Sequence, residues 1–140
     1  MKLYLDASVL VAMLTTDPLT ARAFRHINDT TPNLIISDFA SAEVASAIAR
    51  RVRRGEMTVA AARKSFATLD SLTSRGFERI ETSAVDIKGA ETFLRRLDLT
   101  LRAPDAINMA ITQRLGASLM TFDDKMAASA RMLAIEVAAA

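Results

Sequence analysis

The chain has 140 residues, 51% of them hydrophobic and 24% charged, with eighteen basic against sixteen acidic side chains and a net charge of +2. That composition suits one soluble globular domain with a single well-filled core, and so small a charge gives no general attraction to nucleic acid or to a membrane surface. Without cysteine there are no disulfides or thiolate metal sites, and a single histidine, His26, is too little for a zinc centre or a triad; any metal must take oxygen ligands, as Mg²⁺ and Mn²⁺ do.

In chain order, Lys2–Asp6 reads as a first strand in which Leu3, Tyr4 and Leu5 stop at a bare carboxylate. The apolar run resumes from Ala7 to Leu14 as a helix, for which Asp6 is a good N-cap. Asp17-Pro18 reads as the start of a second helix reaching about Asn28, with Asp as cap and Pro in first position. NLIIS (33–37) is the second strand. Ser37 or Asp38 then caps a long helix through about Arg54, closed by Gly55. Thr58 opens another helix, with Val59, Ala62, Phe66, Leu69 and Leu72 at helical spacing, ended by Gly76. This stripe belongs either to the core or to a dimer face.

FERIE (77–81) is a weaker third strand, followed by a helix from about Ser83 to Leu97. Pro104 opens a helix that stops at Gly116, ASLMTF (117–122) is a strand, DDKMAASARM (123–132) a short helix, and AIEVA (134–138) a candidate last strand. Short apolar runs alternating with amphipathic helices predict an α/β fold with a small, mostly parallel central sheet of four or five strands, flanked by about seven helices. No linker divides residues 1–140, and Ala138–Ala140 are expected to fray. No run nears the roughly 18 apolar residues of a membrane span. A single Lys2 ahead of Asp6 makes no convincing signal peptide. The expectation is a cytoplasmic protein.

Four acids stand apart from this bland background. Asp6 and Asp123 each end a strand, and in a parallel sheet both emerge at the carboxyl edge, where open α/β sheets place their ligand sites. Asp105 follows Ala103-Pro104, in the first turn of its helix and nearest the same edge. Glu43 lies among small residues in FASAEVASA (39–47), with Ala47 where a basic i+4 partner would stand. Each has a structural explanation alone: Asp caps helices and favours their first turns, and a helical Glu is usually solvated. Together they would repel one another unless a hard divalent cation lay between them.

The segments LYLDAS (3–8), SAEVASAI (41–48), LRAPDAINMAITQRLGA (101–117) and TFD (121–123), in that order, resemble the PIN-domain ribonucleases, and most of all the VapC-type toxins of bacterial toxin–antitoxin pairs. The resemblance spans essentially the whole chain. It places the four family acids on Asp6, Glu43, Asp105 and Asp123, without a departure at any of them. It implies a PIN-like fold and an endoribonuclease dependent on Mg²⁺ or Mn²⁺ that leaves 5′-phosphate and 3′-hydroxyl ends. Asp6, Asp105 and Asp123 are then direct metal ligands, and Glu43 holds a second ion or orients water. Asp124 adjoins the last acid and is a candidate to share its role, although a first-turn helix residue reads more readily as a solvated neighbour.

Around these, Ser8 and Thr121 match hydroxyl positions of the pattern, and Asn108, one turn after Asp105, is a candidate supporting residue. In ARRVRRGE (49–56), Arg50 and Arg54 lie at i+7 and i+11 from Glu43 and so along its helix face. With Arg102 they are candidates to touch the flanking RNA backbone, although a helix C-terminus attracts cations for its own reasons. The resemblance also implies a homodimer and a VapB-like antitoxin that blocks the acidic pocket. Two rivals stand: a catalytically silent PIN-like binding module, and a less selective metal-dependent nuclease.

Overall fold

The computed structural model describes residues 1–30 and 33–138. Among them β1 (Lys2–Leu5), β2 (Asn33–Ser37), β3 (Glu78–Ile80) and β4 (Ser118–Met120) form one parallel sheet in the order β3-β2-β1-β4. Seven helices connect and cover it: α1 (Ala7–Leu14), α2 (Thr20–Thr30), α3 (Asp38–Arg53), α4 (Val59–Arg75), α5 (Ala84–Arg95), α6 (Ala103–Arg114) and α7 (Asp124–Met132). None of the helices is long and apolar enough to cross a membrane.

A parallel sheet needs both faces covered, and its central strand shows why this one is apolar throughout. Side chains alternate along β1, so Leu3 and Leu5 enter one core with Val9, Leu10, Ile36, Val44 and Ile48, while Tyr4 enters the other with Ile35, Met109, Ile111 and Leu119. Leu3, Tyr4 and Leu5 are fully buried, and Lys2 at the start of β1 is exposed. The second core is closed by α5 against α6, where Gly89 faces Ala110: a Cβ on Gly89 would stand 3.4 Å from that of Ala110, in van der Waals contact. Val59 stays exposed, whereas Ala62 and Leu69 of the same α4 stripe are buried in the first core.

Several element ends differ from the sequence expectation, each for a local reason. Helix α2 begins at Thr20, because Asp17 accepts the Leu19 N–H at 2.8 Å and makes a turn before the helix starts. Ser37, not Asp38, caps α3 by accepting the Ala40 N–H at 2.9 Å. Helix α5 stops at Arg95, before Leu97 takes a positive φ of 66°. Strand β4 ends at Met120 since Thr121–Asp123 turn into polar contacts described below. The expected fifth strand is reduced to a single bridge between Val137 and Leu119. Ala138 is not frayed: its N–H reaches the Leu119 carbonyl at 2.8 Å. The remainder of that expectation, Ala139 and Ala140, lies outside the described residues.

Candidate active site

Strands β1 and β4 lie side by side, so the residues that follow them meet. Asp6, directly after β1, caps α1 and is 5% exposed. One of its carboxylate oxygens accepts from Ser8 Oγ at 2.6 Å and from the Val9 N–H at 3.2 Å; the other accepts from Thr121 Oγ1 at 2.5 Å. The same two hydroxyls accept in turn from the chain after β4: Ser8 Oγ from the Phe122 N–H (3.1 Å) and Thr121 Oγ1 from the Asp123 N–H (3.0 Å). Ser8 and Thr121 therefore fasten Asp6 to the 121–123 segment. Burial pushes the Asp6 carboxyl above its usual pKa, opposed by these hydrogen bonds.

Glu43 is presented by α3 and held from across the sheet. Asn108 of α6 donates to Glu43 Oε1 at 2.6 Å and to the Pro104 carbonyl at 2.9 Å. Its carbonyl oxygen accepts from the Tyr4 hydroxyl at 2.5 Å, and Tyr4 Oη lies 2.6 Å from Ser37 Oγ. Because Tyr4 donates to Asn108, the Ser37 hydroxyl donates to Tyr4, while Ser37 Oγ accepts the α3 N-cap bond. Burial raises the Glu43 pKa, Asn108 lowers it, and the negative charges of Asp6 and Asp105 raise it further. Burial also lifts the Tyr4 hydroxyl far above its ordinary value, so it stays a donor.

Asp105 and Asp123 fill ordinary helix-cap roles and still face the site. Asp105 reaches back to the Arg102 N–H at 3.0 Å, and Asp123 caps α7 through the Lys125 (3.0 Å) and Met126 (3.1 Å) N–H groups. In both, the described residues bond only one of the two carboxylate oxygens, as they do at Glu43. The bland and the functional explanations of these acids therefore coexist. Asp105 and Asp123 line a cavity of about 340 Å³ with Arg102 and Lys125. Glu43 and Asp123 line a second, of about 560 Å³, with Ser8, Arg50, Arg51 and Phe122. Asp123 joins the two.

Of the three expected arginines, Arg50 and Arg102 line these cavities and Arg102 works against the rise at Glu43. Arg54 sits exposed at the C-cap of α3. Arg51, which no spacing singled out, lies in the wall of the larger cavity, 3.1 Å from Thr15 Oγ1 and 3.4 Å from Asp17. Tyr4 and Ser37 were also missed. The one signal for Tyr4 was a hydroxyl within a buried strand, which has to find a partner. Asp124 is exposed in the first turn of α7.

Among the described residues no salt bridge reaches any of the four acids, and no three acidic or histidine side chains already close into a metal cage. The donor chemistry nevertheless fits a hard divalent cation. The four acids offer carboxylate oxygens, three of them keep one oxygen without a partner among the described residues, and burial together with two neighbouring negative charges disfavours ionised Glu43.

A family profile for the PIN domain matches residues 3–132. The chain is 32% identical to Ribonuclease VapC46 of Mycobacterium tuberculosis over 140 residues, which take in 98% of this chain and 96% of that protein. The fold is similar to M. tuberculosis VapC20, a Sarcin-Ricin loop cleaving toxin, with a TM-score of 0.73, 20% identity and coverage of 91% of this chain and 94% of that one. It is also similar to Rickettsia felis VapBC2 bound to a DNA fragment from its promoter, with a TM-score of 0.72, 18% identity and coverage of 98% and 97%.

Proposed function

The chain belongs to the PIN-domain family, and from that premise we propose that it is a divalent-metal-dependent endoribonuclease acting as the toxin of a toxin–antitoxin pair. The observation that carries this reading is the acid cluster at the carboxyl edge of the sheet. Asp6 is buried and clamped, ionised Glu43 is disfavoured by burial and by Asp6 and Asp105 with Arg102 opposing, and among the described residues no salt bridge reaches any of the four acids. A protein keeps such an arrangement against its own repulsion when a ligand of opposite charge completes it.

Asp6, Asp105, Asp123 and Glu43 are the residues that would hold Mg²⁺ or Mn²⁺, which when bound neutralises phosphate charge and activates water for hydrolysis. The protein's own groups divide the remaining work. Ser8 and Thr121 fix both Asp6 oxygens. Asn108 points the Glu43 carboxylate, which would bind a second ion or orient the attacking water. Arg50, Arg51 and Arg102 stand on the cavity rims, where a phosphodiester chain on either side of the cut would meet positive charge.

RNA as substrate is supported by the ribonuclease relative, and a VapB-like antitoxin as partner by the VapBC complex of the same fold. A homodimer and a cytoplasmic location, where RNA and a reducing milieu coincide, complete the proposal. The test needs no knowledge of the target. Mn²⁺ is titrated into antitoxin-free protein and into Asp105→Asn while the melting temperature is followed, then cleavage of mixed RNA is assayed beside matched DNA. Wild type should gain stability with Mn²⁺ and cut RNA, and the variant should do neither. Equal gains in both proteins, or equal cleavage by both, overturn the proposal.

A further inference from the structure

The larger cavity beside the acids contains one aromatic side chain among its described lining residues, Phe122. Its root is fixed with respect to the site from both sides. Thr121 bonds Asp6, the Phe122 N–H bonds Ser8 Oγ at 3.1 Å, and Asp123 follows directly and lines both cavities. The ring is half-buried, packed on the core that includes Leu3 and Leu5 but still in the cavity wall. The Arg22 guanidinium stands 5.3 Å from the ring centroid, within cation–π range.

A rigid, partly open aromatic next to a phosphodiester site is what a nucleobase stacks on, and every base has a face to offer. We infer that Phe122 is a stacking platform for the nucleobase adjoining the scissile phosphate, placing a single-stranded RNA across the cavity with Arg50 and Arg51 on its phosphates. This rests on the endoribonuclease reading above. Such a contact holds a strand in register without reading its sequence, so it accounts for binding geometry and leaves target choice to other surfaces.

The test compares a short fluorescein-labelled oligouridylate with an abasic ribose-phosphate strand of equal length. Binding is followed by anisotropy with Ca²⁺ in place of Mg²⁺ to prevent cleavage. Wild type should hold the base-bearing strand several-fold more tightly than the abasic one. Phe122→Leu and Phe122→Met should lose roughly 5- to 100-fold on the base-bearing strand and little on the abasic strand, while Phe122→Tyr keeps wild-type affinity. Equal affinity of wild type for the two strands overturns the inference without any variant having to fold. So does an equal loss on both strands in the variants. If wild type binds neither strand and cuts no RNA, the inference falls together with the reading beneath it; if it cuts RNA but ignores the bases, the inference alone falls.

Discussion

Tyr4 and Asn108, 104 residues apart in sequence, share a buried 2.5 Å hydrogen bond in which the phenol donates. That direction fixes the Asn108 amide, because its carbonyl oxygen is occupied by Tyr4 and only its NH₂ group is left to face Glu43 Oε1. Tyr4→Phe removes the constraint and leaves Asn108 Oδ1 and the Ser37 hydroxyl short of a partner. An unsatisfied buried polar group costs about 1–3 kcal/mol, so urea unfolding should show a loss of that order. Tyr4→Phe combined with Asn108→Ala should lose less than the sum of the single changes, since both break the same chain. Additive losses would mean that Tyr4 serves only packing.

Glu43 gives a prediction whose sign depends on metal. Its carboxyl pKa is raised, first by burial and then by Asp6 and Asp105, against the opposing bond from Asn108. A raised native pKa means that the folded protein binds more protons than the unfolded chain in the window above the ordinary carboxylate value, so stability falls as pH rises through it. Glu43→Gln keeps the acceptor for Asn108 and removes the charge. Metal-free, the variant should melt above wild type where Glu43 is ionised, and the gap should narrow as pH falls through its raised pKa towards the ordinary carboxylate range. Saturating Mn²⁺ should reverse the order at neutral pH. Paired melting curves check both signs, and an unchanged order with Mn²⁺ would remove Glu43 from the metal site.

The contrast between Asp6 and Tyr4 explains which parts of the site were legible in the sequence. An acid that interrupts an apolar strand is conspicuous because burial of a charge is costly, and three acids at element ends share an edge once the sheet is parallel, with Glu43 marked by its run of small neighbours. The β1 end was readable through Asp6, and the α6 ends through the backbone preferences of Pro104 and Gly116. Tyr4, Ser37 and Arg51 were not readable. Their roles come from partners 33 to 104 residues away that only the strand order β3-β2-β1-β4 brings near. The last segment failed as a strand because hydropathy alone cannot tell one bridge from a full ladder.

Asp86, which has no hydrogen bond or ion pair to the four acids among the described residues, offers a structural control. Its side chain is fully buried, caps α5 through Ser83, and takes two hydrogen bonds from Arg114 of α6 at 2.7 and 2.9 Å. Arg114→Met should cost on the order of 2–3 kcal/mol, less than the loss for a fully buried pair because Arg114 is one-third exposed. The Arg114 bonds hold the Asp86 pKa down despite burial, so this contribution is present above the ordinary carboxylate pKa and disappears as pH falls through the lower folded value. Chemical denaturation against pH should show the loss, with the Mn²⁺ response intact. A variant that also loses Mn²⁺ binding would show that α5 and α6 packing reaches the acids.

Thr121 has two tasks at one oxygen atom, donating to Asp6 and accepting from the Asp123 N–H. Thr121→Val keeps the shape and abolishes both; Thr121→Ser keeps both and loses a methyl. Without the donor, burial acts on Asp6 with less opposition, so its carboxyl pKa should rise further than it already has. Protons then compete better for a residue that must be ionised to hold a cation. The Val variant should therefore need more Mn²⁺ for half-maximal thermal stabilisation, with the deficit growing as pH is lowered from neutrality, and Ser should restore most of the wild-type response. If the Val variant keeps the wild-type Mn²⁺ response at every pH, the hydroxyl is not what prepares Asp6.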